Sequence, residues 1–164
     1  MSGPKPRVLI AYDGSDLANV AVRAAAELFP GSVALVVTVW EPGLAAMAVL
    51  NPGLDAVGTV QVPLDPELVS EVDEAGEHHA AVVARDGARL ADSLGLDAEP
   101  HAIPDEVHVA EAIVDLAVER DAAAVVVGSH GISGLRSRLL GSTSRQVLAR
   151  CQRPVVVVRA DESG

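Results

Sequence analysis

"RVLIAYDGSDLANVAVRAAAELFPGSVALVVTVW", Arg7 to Trp40, is the stretch that decides the fold. Arg7 to Asp13 is a short apolar run with Gly14 just after it, the pattern of a strand buried on both faces. Leu17, Val20, Ala21, Ala24, Ala25 and Leu28 then recur at helical spacing. Ser15 stands where an N-cap belongs, Asp16 falls in the first turn, and Pro30-Gly31 stop the helix. Ser32 to Trp40 is a second buried strand. The order strand, helix, strand with continuous apolar strands calls for a parallel sheet joined by right-handed crossovers.

The same alternation continues outward. A helix in "ELVSEVDEAGEHHAAVVARDGARLADSLG" precedes a strand in "LDAEPHAI", and a helix in "DEVHVAEAIVDLAVERD" precedes a strand in "AAAVVVG". A helix in "STSRQVLARC" and a strand in "RPVVVVR" complete the series. The expected fold is α/β: one doubly wound, Rossmann-like domain over residues 1–164, a five-stranded parallel sheet with helices on both faces. Residues 41–66 fit least well, because three Gly and four Pro interrupt them. They read either as a flap over a ligand or as a short helix around "GLAAMAVL".

Composition bounds the function. Hydrophobic residues are 49% of the 164 and aromatics 2%, so the core is built from Ala, Val, Leu and Ile. Cys151 is the only cysteine, which rules out an intrachain disulfide and suits a reducing cytosol. The apolar run before Asp13 is too short for a signal-peptide core or a membrane span, and the expectation is a cytoplasmic protein with no membrane partner. A net charge of −11 argues against nucleic acid as a partner. The charge is uneven: Ala122 to Ala160 contains six arginines and no Asp or Glu, leaving −17 for the remainder. That basic island suits a local anion site, and equally suits arginines on a helix surface.

The island holds "GSHGISGLRSRLLGSTSRQVL", Gly128 to Leu148. Ligands of open α/β sheets bind outside the carboxyl ends of the strands, where strand order reverses. The candidates are the first strand, ending at Asp13-Gly14, and the fourth, ending at Val127-Gly128. Gly128 and Gly131 leave the backbone bare for a ribose or phosphate. Gly141 precedes a helix whose first amides, at Ser142, Thr143 and Ser144, lack intrahelical partners and suit an anion. A P-loop is excluded, since Lys5 is the only lysine, and no G-x-G-x-x-G follows the first strand. The spacing present is G-x2-G-x9-G-S.

That spacing, within "VVVGSHGISGLRSRLLGSTSRQVLARCQRPVVVVR", resembles the nucleotide-binding signature of the universal stress protein family. The opening "RVLIAYDGSDLANVAVRAAAELF" is similar to that family's first strand and helix. The resemblance implies a small cytoplasmic α/β protein with a regulatory or stress-response role that binds an adenine nucleotide, most often ATP, with Mg an optional companion. It further implies Asp13 against the adenine and Val39 lining its pocket with main-chain contacts. Gly128 and Gly131 would lie along ribose and phosphates, and Gly141, Ser142 and Thr143 would hold the phosphates. Val127 closes the fourth strand beside them. The resemblance also implies a homodimer through the last strand, and physics agrees: Pro154 to Arg159 is an apolar edge that needs covering.

Blander readings stand beside these. Asp13-Gly14 can be a turn alone, Ser142 and Thr143 good N-caps alone, and Arg136 and Arg138 solvated loop residues. His78, His79, His101 and His108 suggest no metal site or triad and read as surface positions, and His130 can face solvent. Glu71, Asp73, Glu74 and Glu77 read as a hydrated helix face. Phosphoryl transfer needs a group to orient the nucleophile, and none is assignable, so no catalytic or metal-binding residue is expected. Holding a nucleotide is the leading function, with hydrolysis slow and incidental. A slow Mg-dependent ATPase or phosphotransferase, or a nucleotide-independent dimeric module, are the competing classes.

Overall fold

A computed structural model describes residues 3–43, 66–105, 108–131 and 140–159. In chain order these form β1 (Arg7–Ala11), α1 (Asp16–Leu28), β2 (Val33–Trp40), α2 (Pro66–Ser93), β3 (Asp97–Pro104), α3 (Val109–Glu119), β4 (Ala124–Gly128), α4 (Ser142–Arg150) and β5 (Val155–Val158). The sheet is parallel throughout, in the order β3-β2-β1-β4-β5. The expected fold class is the one observed. Most of the stretch 41–66, and with it the choice between flap and helix, lies outside the described residues.

The continuous apolar strands are explained by two cores. Val8 and Ile10 of β1, Val36 of β2 and Val126 of β4 face α1 and α2. The alternate residues Leu9, Leu35, Val37, Val125 and Val127 face α3 and α4. Successive strand side chains point to opposite faces, so a strand covered on both sides must be apolar at every position. The edge strand β3 departs from that expectation. It carries exposed Glu99 and Pro100, and an edge position is where a sheet tolerates Pro.

Helix α1 begins as its sequence suggests, with Ser15 Oγ accepting from Ala18 N at 3.1 Å. Gly14 adopts φ +81°, a conformation side-chain-bearing residues rarely take, to turn β1 into α1. The buried stripe differs from the expected one. Leu17, Ala18, Ala21, Val22 and Ala25 are buried, while Val20 and Leu28 are 39% and 57% exposed. The small alanines let the helix lie close to the sheet, and this rotation seats Leu17 against Gly128. A Cβ on Gly128 would lie 3.1 Å from Leu17 Cγ. Helix α2 lies on the same face, burying Ala80, Ala84, Gly87, Ala88 and Ala91.

Several surface expectations are refined. Glu71, Glu74 and Glu77 are exposed, but half-buried Asp73 accepts from Gly43 N at 2.6 Å, supplying an acceptor just beyond β2. His78, His79 and His108 are exposed. His101 is not a surface residue: its side chain is only 19% exposed, because it sits on β3 in register with core residue Val37. Its Nε2 lies 3.6 Å from Glu99 Oε2, beyond hydrogen-bond length.

Candidate functional site

Strand order reverses between β1 and β4, since α1 leaves β1 on one face and α3 and α4 cover the other. The end of β1 is held firmly. Tyr12 N donates to Val37 O at 2.8 Å, and buried Thr38 donates from Oγ1 to Tyr12 O at 2.8 Å. The Tyr12 hydroxyl donates to Asn19 Oδ1 at 2.7 Å. Burial first, and then the carboxylates of Asp86 and Asp13, push this hydroxyl above its ordinary value of 10.0. Asp13 follows, with Oδ1 accepting from Ser15 N at 3.0 Å.

A cavity of about 160 Å³ opens here. Its apolar side is made by Val37, Val39 and Val127 of the sheet together with Val109 and Ile113 of α3. Its polar side is made by Asp13, Gly131, His130, Thr143 and Ser144. The two strand ends approach closely across it: a Cβ on Gly131 would lie 2.8 Å from Asp13 Oδ2. Any side chain at 131 therefore competes with the Asp13 carboxylate for one space.

The returning half of the glycine segment is equally tight. Gly141 N donates to Ser129 O at 2.7 Å, and a Cβ on Gly141 would lie 3.3 Å from that oxygen. The N-cap of α4 is Gly141 itself, with no side-chain hydrogen bond to the cap, so Ser142 and Thr143 are not the caps expected of them. A Cβ at the capping position would sit tighter than ordinary contact against Ser129, which favours glycine there. The first-turn amides of α4 are consequently without a side-chain acceptor among the described residues, and they carry the positive end of the helix dipole.

Six of the eight expected site residues, Asp13, Val39, Val127, Gly128, Gly131 and Thr143, line this one cavity. Ser142 instead lines an adjoining hollow of about 210 Å³ with Glu41, Asp105, His108 and Gln146, which shares Thr143 and Val109 with the first. Gly141 shapes the polar wall through Ser129 and His130. His130 faces the cavity, its Nδ1 3.1 Å from Ser129 Oγ. Arg136, Arg138 and Gly134 lie outside the described residues. Two further arginines of the basic island are engaged elsewhere, Arg150 with Glu111 and Arg153 with Asp121 at 2.8 Å. Sequence reasoning missed Tyr12 and Ile113 as lining residues, since their burial in the core marks them as structural; Ser144 was expected at the helix start through its amide, and its side chain lines the cavity as well.

The sequence matches the model of the universal stress protein family over residues 6–159. This chain belongs to the universal stress protein family. Universal stress protein YxiE of Bacillus subtilis (strain 168) is 29% identical over 160 residues, covering 93% of this chain and 98% of the relative. The Thermus aquaticus universal stress protein in the QAH/OAS sulfhydrylase 3'region is 32% identical over 154 residues, covering 93% and 97%. Among solved structures, the hypothetical protein MJ0577 superposes with a TM-score of 0.75 at 18% identity, covering 98% of this chain and 100% of that one. A universal stress protein in complex with cAMP gives 0.59 at 24% identity, covering 96% and 98%. The universal stress protein of Archaeoglobus fulgidus in complex with dAMP gives 0.55 at 24% identity, covering 94% and 97%. This universal stress protein thus shares its fold with proteins seen holding adenine nucleotides. Among its described residues no helix is long and apolar enough to cross a membrane.

Proposed function

We propose that this universal stress protein binds an adenine nucleotide, ATP foremost, in the crevice between β1 and β4 and serves a regulatory or stress-response role. One observation carries the reading: an apolar slot opens directly onto a helix start with no side-chain cap. A flat, weakly polar base suits the slot between Val39 and Ile113, and a phosphate suits the amides at Ser142 and Thr143. The family relatives that hold cAMP and dAMP support the class of ligand. Asp13 abuts Gly131 at the polar end, so we assign its carboxylate to the ribose hydroxyls rather than to the base. A Mg²⁺ ion would arrive with the phosphates: among the described residues no group of three or more His, Cys, Asp or Glu is gathered to hold one unaided. The test is the small molecule released on denaturing freshly purified protein, identified by mass, together with calorimetric titration by ATP and AMP. An adenylate released or bound is expected; no adenylate in either measurement overturns the reading.

A second copy of the chain is the proposed cover for β5. Val155 to Val158 form a half-buried edge of four consecutive valines, a surface prone to pair with another strand. Sedimentation at micromolar concentration should give a dimer, and Val156→Lys should shift it to monomer. A wild-type monomer rejects the assignment.

A further inference from the structure

The nucleotide reading uses the backbone amides at the α4 start but leaves the side chain of Ser144 without a role, although that side chain is buried and bonded. Ser144 is the third residue of α4, 4% exposed, and it lines the cavity. Its Oγ donates to Gly128 O at 2.6 Å, across 16 positions of sequence. A serine hydroxyl has one proton, so this bond removes Ser144 from the donors available to a phosphate. The side chain acts on the chain, not on a ligand.

Its action has a clear geometry. The chain leaves the end of β4 at Gly128-Ser129 and returns at Gly141–Ser144, and the two passes are joined twice. Gly141 N donates to Ser129 O at 2.7 Å, and Ser144 Oγ donates to Gly128 O. Ser129 is itself tied to β5, donating from N to Val158 O at 2.7 Å. The outgoing pass is therefore a fixed part of the sheet, and the two bonds fix the incoming pass to it. Gly141 holds only the capping residue. Ser144 holds the turn that carries the amides, so it sets both the distance and the tilt of the α4 start relative to Gly128 and Gly131.

We infer that Ser144 is a positioning residue for the phosphate end of the site. The inference rests on the adenine-nucleotide reading and deepens it. Anion recognition by backbone amides depends on several N–H groups converging on one point, and functional geometry tolerates displacements of only about 0.5 Å. Without the Ser144 bond, the first turn of α4 keeps only the Gly141 N–Ser129 O bond to the outgoing pass among the described residues, so it can shift there even though Val147 anchors the helix in the core farther along. The base slot is walled by Val37 and Val39 of β2, Val127 of β4 and Val109 and Ile113 of α3. Of these elements Ser144 touches only the last residue of β4, Gly128, which its pairing with β5 already holds, so phosphate and base should respond differently to its loss.

AMP and adenosine separate the two. Wild type, Ser144→Ala and Ser144→Cys are titrated with each ligand by calorimetry, with thermal melts as a check on folding. Ser144→Ala should weaken AMP binding by about tenfold, the factor set by one lost positioning hydrogen bond, while adenosine affinity changes less than about twofold. Ser144→Cys is close in volume and a weak donor; it keeps the packing and should show the same selective loss to a smaller degree, which covers the case of an unstable alanine variant. Equal losses for both ligands, or no loss for AMP, overturn the role of Ser144 while the nucleotide reading stands. A wild type that binds neither ligand overturns the nucleotide reading and this inference with it.

Discussion

Gly131→Val is expected to lower AMP affinity by about tenfold or more, while changing folding stability by no more than about 0.5 kcal/mol. Stability should hold because Gly131 is exposed and its φ lies outside the left-handed region, so a β-branched residue fits the backbone. Affinity should fall because the new Cβ would stand 2.8 Å from Asp13 Oδ2, nearer than nonbonded carbon and oxygen can remain. The movable party is the end of the Asp13 side chain, and its displacement would remove it from the proposed ribose contact. Asp13→Ala supplies the companion measurement. If Gly131→Val acts through Asp13, the double variant binds AMP no more weakly than the worse single variant, a failure of additivity that two independent contacts would not produce. Unchanged AMP affinity in Gly131→Val would remove the loop from the site.

The two strand ends that meet at this point were legible because their chemistry is local. Asp13-Gly14 and Gly128-x2-Gly131 each follow an apolar strand, and a parallel sheet brings such ends to one edge. The layering was legible for the same reason: Val8-Leu9-Ile10 is apolar at every position, which only a strand covered on both faces requires. What glycine is for was less legible. Gly128 reads as clearance for a ligand, yet its missing Cβ makes room for Leu17, which is 111 positions earlier in sequence. Gly141 reads as an opening for phosphate, and the immediate demand on it is the approach to Ser129. A glycine shows that a space is needed without showing which neighbour fills it. The side chain of Ser144 was hidden differently: at a helix start its residue reads as one more amide facing an anion, and only the fold reveals that its hydroxyl turns back to β4. The α1 face was misjudged because its alanines offer several stripes of similar apolarity, and the choice between them fell to the fit of Leu17.

Gly87→Ala is expected to destabilise the protein by roughly 1–2 kcal/mol, against the sign that helix propensity alone would give. Gly87 lies well inside α2, where alanine is favoured over glycine by about 1 kcal/mol. The opposing effect is steric. A Cβ at 87 would lie 2.7, 2.9 and 2.9 Å from Cδ1, Cε1 and Cγ of Tyr12. That ring has little freedom to yield, since its hydroxyl is bonded to Asn19 and its main chain to Val37 and Thr38. Overpacking of a held ring costs about 1–3 kcal/mol and so outweighs the propensity gain. Urea unfolding measures the net effect. Tyr12 is the only tyrosine, so tyrosinate absorbance reads its ionisation directly. In the wild type its hydroxyl is held above 10.0, so the folded state keeps a proton that the unfolded chain releases. That contribution to stability is complete below pH 10 and is lost as pH rises through the folded value. Gly87→Ala pushes the ring toward water and weakens the burial that raises the value, so ionisation should begin at lower pH than in the wild type. A variant that is more stable than the wild type would mean that the ring gives way freely, and that Tyr12 does not brace the end of β1 beneath Asp13.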